Sequence, residues 1–282
     1  MKRARDEITE AMGRIDVVIE MLDARLPASS RNPVLDELRR NKPCIRLLNK
    51  SDLADPIVTA LWIEAMETDK TIRAISVEAH DAALARSLPA LCRERVLIPL
   101  KRPVRVMVVG IPNVGKSTLI NTLVGRRIAK VGNQPAITRH PQTVQISVGQ
   151  ETMDVLDTPG ILWPNLENKK GAYRLAAGGA IRDTAMDYED VAAFTGAFLL
   201  DRYPEALMAR YAFKQLPDSA QDLLDAVGRK RGCLIRGGRV DLHKAALALM
   251  IDLRSGKIGR ISLEEPRDRE SDSLNTPEST DK

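Results

Sequence analysis

Aromatic side chains are scarce in this sequence, at 3% of 282 residues. Few Phe, Tyr and Trp leave no platform on which successive bases could stack, which disfavours sequence-reading of single-stranded nucleic acid. Recognition of a nucleic-acid backbone or shape stays open. Cysteines are few and scattered: Cys44, Cys92 and Cys233 show neither C-x-x-C nor His spacing, so no zinc site or disulfide framework is expected. His80, His140 and His243 are equally isolated and are read as structural. No apolar run approaches the roughly eighteen residues of a membrane span, and "MKRARDEITE" at the start has no apolar signal core. The expectation is a cytoplasmic, monomeric protein without membrane contact.

What is present is charge and short apolar runs. The net charge is +5, and basic residues cluster at 101–105, 125–130 and 228–239. One such cluster is usually a solvated face, but several together favour a polyanion such as RNA. Strands are predicted over 15–24, 44–49, 71–77, 104–110, 143–148 and 152–157, with helical stretches such as "PVLDELRRN" and "PIVTALWIEAME" between most of them. Pro56 stands where a first helical turn tolerates it. This alternation predicts a mostly parallel, doubly wound α/β sheet, which binds ligands at the carboxyl ends of its strands.

Beyond about residue 170 the spacing turns helical. Val191, Phe194 and Phe198 share a predicted face, as do Leu207 and Tyr211. Leu223, Leu224 and Val227 precede Gly228, read as a helix C-cap, and Leu242, Ala246, Leu249, Met250 and Leu253 form a further stripe. Such stripes are core, so the predicted organisation is an α/β domain over 1–170, a small all-α domain over 171–262 and a disordered polar tail over 263–282.

The chemistry lies in four short stretches. "GIPNVGKS", Gly110 to Ser117, satisfies G-x-x-x-x-G-K-[ST] directly after an apolar strand and before a helical run. Its glycines let backbone N–H groups turn toward phosphates, and the following helix adds its positive end. Within it Asn113, Val114, Gly115, Lys116, Ser117 and Thr118 are candidate nucleotide contacts, Lys116 for the β- and γ-phosphates and Ser117 for Mg²⁺. From average composition, such a match arises by chance in about one chain of this length in a hundred. "DTPG" ends the last predicted strand: Asp157 can hold the Mg²⁺ shell, and Gly160 can offer its N–H to a γ-phosphate. Between the two lies the loop "VGNQPAITRHPQT", where Thr138 is the expected Mg²⁺ ligand and Thr143 the runner-up. Thr138 and Gly160 would together position the attacking water and the γ-phosphate, whereas the general base is left unassigned.

"NKSD" follows the apolar run "CIRLL". Asp52 can accept two hydrogen bonds from the guanine N1–H and exocyclic amine, a pairing adenine cannot supply. Lys50 would lie along the base and Asn49 would tie neighbouring loops together. Ser76, near the end of the next strand, is a weaker base-loop candidate. In an ordinary GTPase this tetrapeptide follows the phosphate loop, whereas here it precedes it. Starting at residue 104 and wrapping from "DTPG" to the N-terminus restores the ordinary order, so the sheet is predicted to be circularly permuted. Close-lying termini make that permutation harmless to the fold.

The chain resembles the circularly permuted ribosome biogenesis GTPases of the YlqF/RbgA type. The resemblance spans roughly 1–260 and rests on "VIEMLDARLPASSRNP", "LLNKSDLAD", "GIPNVGKSTLIN", "ITR", "LDTPGILWPN" and "LAAGGAIRD", in that order. It implies a P-loop GTPase that uses Mg²⁺ and binds GTP and GDP. It further implies a role in maturing the large ribosomal subunit, with precursor particles as partner and the helical domain contacting rRNA. It also suggests K⁺, through Asn113. Three departures stand out. Ile161 stands where many GTPases place the Gln that orients water, a position at which the family also carries a hydrophobic residue, and Ala136 stands where the family usually has Gly. The family's "PGHM" stretch is met here only from its Met, so a start upstream of Met1 is expected. Ile161 and the missing His also permit an alternative, a nucleotide-gated RNA-binding scaffold with negligible turnover.

Overall fold

The structure, a computed structural model, describes residues 8–96, 101–125, 142–157, 169–181 and 186–267. Thr138, Gly160, Ile161, Ala136 and His140 lie outside the described residues. A short helix α1 (8–12) leads into β1 (Val17–Asp23). There follow α2 (Pro27–Ser30), α3 (Pro33–Arg39), β2 (Cys44–Asn49), α4 (Pro56–Met66), β3 (Ile72–Val77) and α5 (Ala82–Arg95). The phosphate-loop strand β4 (Val104–Gly110) precedes α6 (Lys116–Val124), then β5 (Gln142–Val148) and β6 (Glu151–Asp157). Five helices complete the described chain: α7 (Lys169–Gly178), α8 (Tyr188–Arg202), α9 (Pro204–Tyr211), α10 (Ala220–Lys230) and α11 (Leu242–Arg254).

The six strands form one sheet in the order β3-β2-β1-β4-β6-β5, parallel except for the edge strand β5, which forms an antiparallel hairpin with β6. This is the doubly wound sheet expected from the alternation of elements. β1 begins two residues later than expected, because the Asp16 carboxylate instead accepts bonds from the Arg102 guanidinium (2.7 Å) and the Arg105 N–H (2.8 Å).

Successive strand side chains face opposite sides, so a sheet covered on both faces reads as a continuous apolar run. From β1, Val17, Ile19 and Met21 enter one core with α5 and α6, while Val18 and Leu22 enter another with α1, α3 and α4. Glu20 shares the second face and pairs there with Arg46 of β2 at 2.8 Å, both buried. Asp55 caps α4 by accepting from the Ile57 N–H at 2.8 Å, with Pro56 in the first turn.

The C-terminal helices join the first core through Leu175, Val191, Leu199, Leu223 and Leu249. The buried face of α8 is rotated from the expected one: Val191, Ala192, Thr195, Gly196 and Leu199 are inside, and Phe194 is half-buried with its ring centroid 5.3 Å from that of Tyr173. Gly196 is the reason, since a Cβ there would stand 3.2 Å from Leu223 of α10, and the close helix approach selects the face carrying the small residue.

Gly228 is not a cap. It lies inside α10, two residues before the helix ends, and a Cβ on it would collide with the Val240 side chain and stand 3.1 Å from the Ala245 Cβ. Gly232, at φ 68°, supplies the left-handed turn instead. Gly228→Ala should therefore cost about 1–3 kcal/mol by overpacking, despite the better helix propensity of Ala. A urea-denaturation midpoint lowered relative to the parent checks this, and an unchanged or raised midpoint would show that the contact relaxes freely.

The polar tail begins later than expected. Leu263 and Glu264 are buried, and Glu264 accepts from the Ser29 N–H and hydroxyl at 2.9 and 2.7 Å. Residues 268–282 lie outside the described residues.

Candidate guanine-nucleotide site

The carboxyl ends of β1, β2 and β4 bring the sequence motifs together. In the sheet register Asp23 sits opposite Asn49, and on the other side Met21 sits opposite Gly110. This is where connections leave the sheet in opposite directions, the position at which open α/β sheets leave a crevice for ligands.

The phosphate loop closes tightly over that crevice. A Cβ on Gly110 would stand 2.6 Å from the Met21 carbonyl, so only glycine fits there. Asn113 and Gly115 adopt left-handed backbone conformations, at φ 58° and 108°. A side chain at Gly115 would also strike the Asn49 amide. Lys116, the first residue of α6, is buried and donates from Nζ to the Gly110 and Ile111 carbonyls at 2.9 and 3.0 Å. Its ammonium is thereby held across the loop beside the positive end of α6. Ser117 follows, and its hydroxyl makes no hydrogen bond among the described residues. Thr118 is half-buried in the same first turn.

Asn49 joins three loops. Its Nδ2 donates to the Val114 carbonyl at 2.7 Å, and its Oδ1 accepts from the Ala79 N–H at 2.7 Å. One amide thus ties the tetrapeptide to the phosphate loop and to the loop after β3. Lys50 has φ 62°, an uncommon conformation for a lysine and a sign that its surroundings hold it there. Asp52 is exposed and its carboxylate accepts no hydrogen bond among the described residues. Ser76 lies within β3, exposed and opposite Leu48, whereas Ala79 three residues on is the one that meets Asn49. Thr143 is exposed on the edge strand β5, paired with Leu156, and Asp157 ends β6 opposite Val108.

Sequence reasoning about chemistry passed over Asp23, the last residue of β1, and Arg25 just beyond it. Lys50 Nζ bonds Asp23 Oδ2 at 2.9 Å, and the Arg25 guanidinium grips the same carboxylate at 2.9 and 2.7 Å. Both residues are only 2% exposed. Burial opposes ionisation of Asp23, but Arg25 and Lys50 outweigh it and hold the carboxyl well below the usual carboxylate range. Arg25 Nη2 also donates to the Gly178 carbonyl at 3.1 Å, and Asn113 Nδ2 to the Gly179 carbonyl at 2.9 Å. The last carbonyls of α7 are thus capped from both halves of the site. The available signal was an acid and a base two apart where an apolar strand ends.

The exposed Asp52 carboxylate, Lys116 held across the phosphate loop and Ser117 in the first turn of α6 thus lie at the carboxyl ends of β2 and β4, where such a sheet places a nucleotide. Known proteins agree. A family model described as "50S ribosome-binding GTPase" matches residues 105–192. Ribosome biogenesis GTPase A of Priestia megaterium is 41% identical over 280 residues, 96% of each chain. This chain belongs to the ribosome biogenesis GTPase A family. The Bacillus cereus member is 43% identical over 279 residues, covering 95% of this chain and 92% of that one. Among solved structures, GDP-bound YlqF of Thermotoga maritima is 26% identical with a TM-score of 0.66, covering 93% of this chain and all of that one. Its GNP-bound form is 27% identical with a TM-score of 0.64 over 94% and 98%. Membership of the family makes this chain a P-loop GTPase, a GTP-hydrolysing enzyme, with its phosphate loop on the fourth strand in the chain.

Proposed function

We propose that this GTPase is a cytoplasmic assembly factor for the large ribosomal subunit, which binds precursor particles in its GTP state and leaves them after hydrolysis. In this reading residues 1–170 sense the nucleotide and 171–262 contact rRNA. The observation that carries the coupling is the bond from Asn113 of the phosphate loop to Gly179 at the end of α7, which joins the nucleotide site to the helical region without an intermediary. Asp52 would read guanine, Lys50 would lie along it, and Lys116 would bind the β- and γ-phosphates. Ser117, Thr138 and Asp157 would hold Mg²⁺, and Asn113 would offer its amide oxygen to K⁺. The metal would neutralise charge developing between the β- and γ-phosphates. Thr138 and Gly160 would order around the γ-phosphate and release when it leaves.

The RNA surface in this reading is the hairpin after α10. Its strands are held by a bridge between Leu234 and Val240 and by the Ile235 N–H to Arg239 carbonyl bond at 2.9 Å. Arg229 is engaged by Asp225, but Arg236 and Arg239 are exposed and form no ion pair among the described residues. Leu234 and Ile235 at the tip are 47% and 41% exposed. Cosedimentation with large-subunit precursors tests both halves of the proposal. Association should be stronger with a nonhydrolysable GTP analogue than with GDP. Arg236→Glu/Arg239→Glu should weaken it about tenfold or more and reduce its salt dependence, since each arginine accounts for roughly one phosphate contact. Equal binding in both nucleotide states would refute the coupling, and an unaffected double variant would remove the hairpin from the RNA surface.

A further inference from the structure

After α11 the chain does not leave the molecule but runs back across the base-reading loop. Gly256, at φ 71°, makes the turn against Leu53, where a Cβ would come within 2.7 Å of Leu53 Cδ2. The following strap then hydrogen-bonds along residues 51–55. The Ile261 N–H donates to the Leu53 carbonyl at 2.8 Å, and Ser262 Oγ accepts from the Asp55 N–H at 3.1 Å. Arg260 reaches two carbonyls at once: Nη2 donates to Ser51 at 2.8 Å and Nε to Ala54 at 3.0 Å. The strap is itself anchored, with the Leu263 N–H on the Arg25 carbonyl at 2.6 Å and Trp62 Nε1 on the Glu264 carbonyl at 3.1 Å.

Asp52 lies inside the segment that Arg260 spans. No hydrogen bond among the described residues holds its carboxylate, so the loop backbone sets where that carboxylate points. Within the loop the Leu53 N–H to Lys50 carbonyl bond is 3.0 Å, but the Ala54 N–H to Ser51 carbonyl bond is long at 3.4 Å. The guanidinium fork bridges the carbonyls on either side of that weak turn with two charge-assisted bonds, the geometry for which arginine is suited and lysine is not.

We propose that Arg260 is a positioning residue for guanine recognition: by clamping the Ser51 and Ala54 carbonyls it fixes the loop that aims Asp52, so selectivity for guanine depends on the strap of the helical region being seated. The proposal rests on Asp52 as the reader of guanine. Guanine offers Asp52 two donors and hypoxanthine, which lacks the exocyclic amine, offers one, so the ratio of GDP to inosine diphosphate affinity reports how well the carboxylate is aimed.

The test is equilibrium binding of GDP and inosine diphosphate to the full chain and to its Arg260→Ala, Arg260→Lys and Asp52→Asn variants. Arg260→Ala should weaken GDP about tenfold and inosine diphosphate by about threefold or less, narrowing the ratio. Arg260→Lys, which reaches one carbonyl at a time, should fall between it and the parent. Arg260 is exposed, and a melting temperature near that of the parent verifies that Arg260→Ala is folded. If both nucleotides weaken equally in either Arg260 variant, the role is structural and the proposal is overturned. If Asp52→Asn changes the ratio while the Arg260 variants do not, only the positioning role falls. If Asp52→Asn leaves the ratio intact, the base-reading assignment fails and takes the proposal with it.

Discussion

Asp52→Asn should convert a guanine site into a xanthine site. In the proposed reading the exposed carboxylate accepts from N1–H and from the exocyclic amine, and each bond to a charged acceptor is worth about 1.5–3 kcal/mol. An asparagine accepts from N1–H but turns an N–H₂ donor toward the amine, so one bond becomes a repulsive contact. GDP affinity should fall by roughly 100- to 1000-fold. Xanthosine diphosphate carries a carbonyl in place of the amine and accepts from the asparagine, so its affinity should rise by a comparable factor. Competition binding with the two diphosphates measures both changes in one experiment. Loss of GDP binding without gain of xanthosine diphosphate would mean that Asp52 supports the loop rather than the base. The fold should be unaffected, because no hydrogen bond among the described residues depends on this carboxylate.

The second large effect is expected deep under the same site. Asp23→Ala leaves the Arg25 guanidinium, 2% exposed, without its carboxylate, and a stranded buried charge costs about 3–5 kcal/mol. Chemical denaturation of the nucleotide-free chain should show that loss. The variant should also bind GDP about tenfold more weakly, because Lys50 loses the partner at 2.9 Å that steadies its left-handed backbone. A double variant, Asp23→Leu/Arg25→Met, should regain most of the stability, since a buried pair replaced by apolar side chains is close to neutral. It should stay weak for GDP, because Lys50 is still unanchored. If the double variant recovered both, the pair would serve only the core. The acid limb of the stability profile carries the same signature. Burial opposes the charge on Asp23, but Arg25 and Lys50 depress its folded pKa below the ordinary 3.8. The stabilisation is therefore fully present above about pH 3.8 and lost as the pH falls further toward the folded pKa, and the Asp23→Ala variant should lack that part of the acid-induced loss.

How much of this was legible beforehand differs by residue. Asn49, Lys116 and Gly115 belong to short motifs in which neighbours along the chain do the chemistry, and the bonds from Asn49 to Val114 and Ala79 follow once the motif order is unwound. Ser76 lies one residue short of the strand end, opposite Leu48, while the bond to Asn49 comes from the backbone N–H of Ala79, which no side-chain motif announces. Gly228 was misjudged because a glycine near a helix end looks the same whether it supplies a left-handed turn or makes room for Val240. Leu263 and Glu264 were assigned to a polar tail because a single buried carboxylate in a charged stretch has no periodicity to reveal it.

Local composition determined the α/β alternation, the phosphate loop, the base-reading tetrapeptide and the permuted order, since each is encoded by residues close together in the chain. Only the tertiary structure decided how the halves of the molecule are tied. Arg25 reaches Gly178, Asn113 reaches Gly179, and Arg260 reaches back more than two hundred positions to Ser51. These bonds join groups distant in sequence, mostly to backbone carbonyls, and a carbonyl is the same at every residue. No pattern of side chains can therefore foretell which carbonyl an arginine will meet, and that choice belongs to the packing.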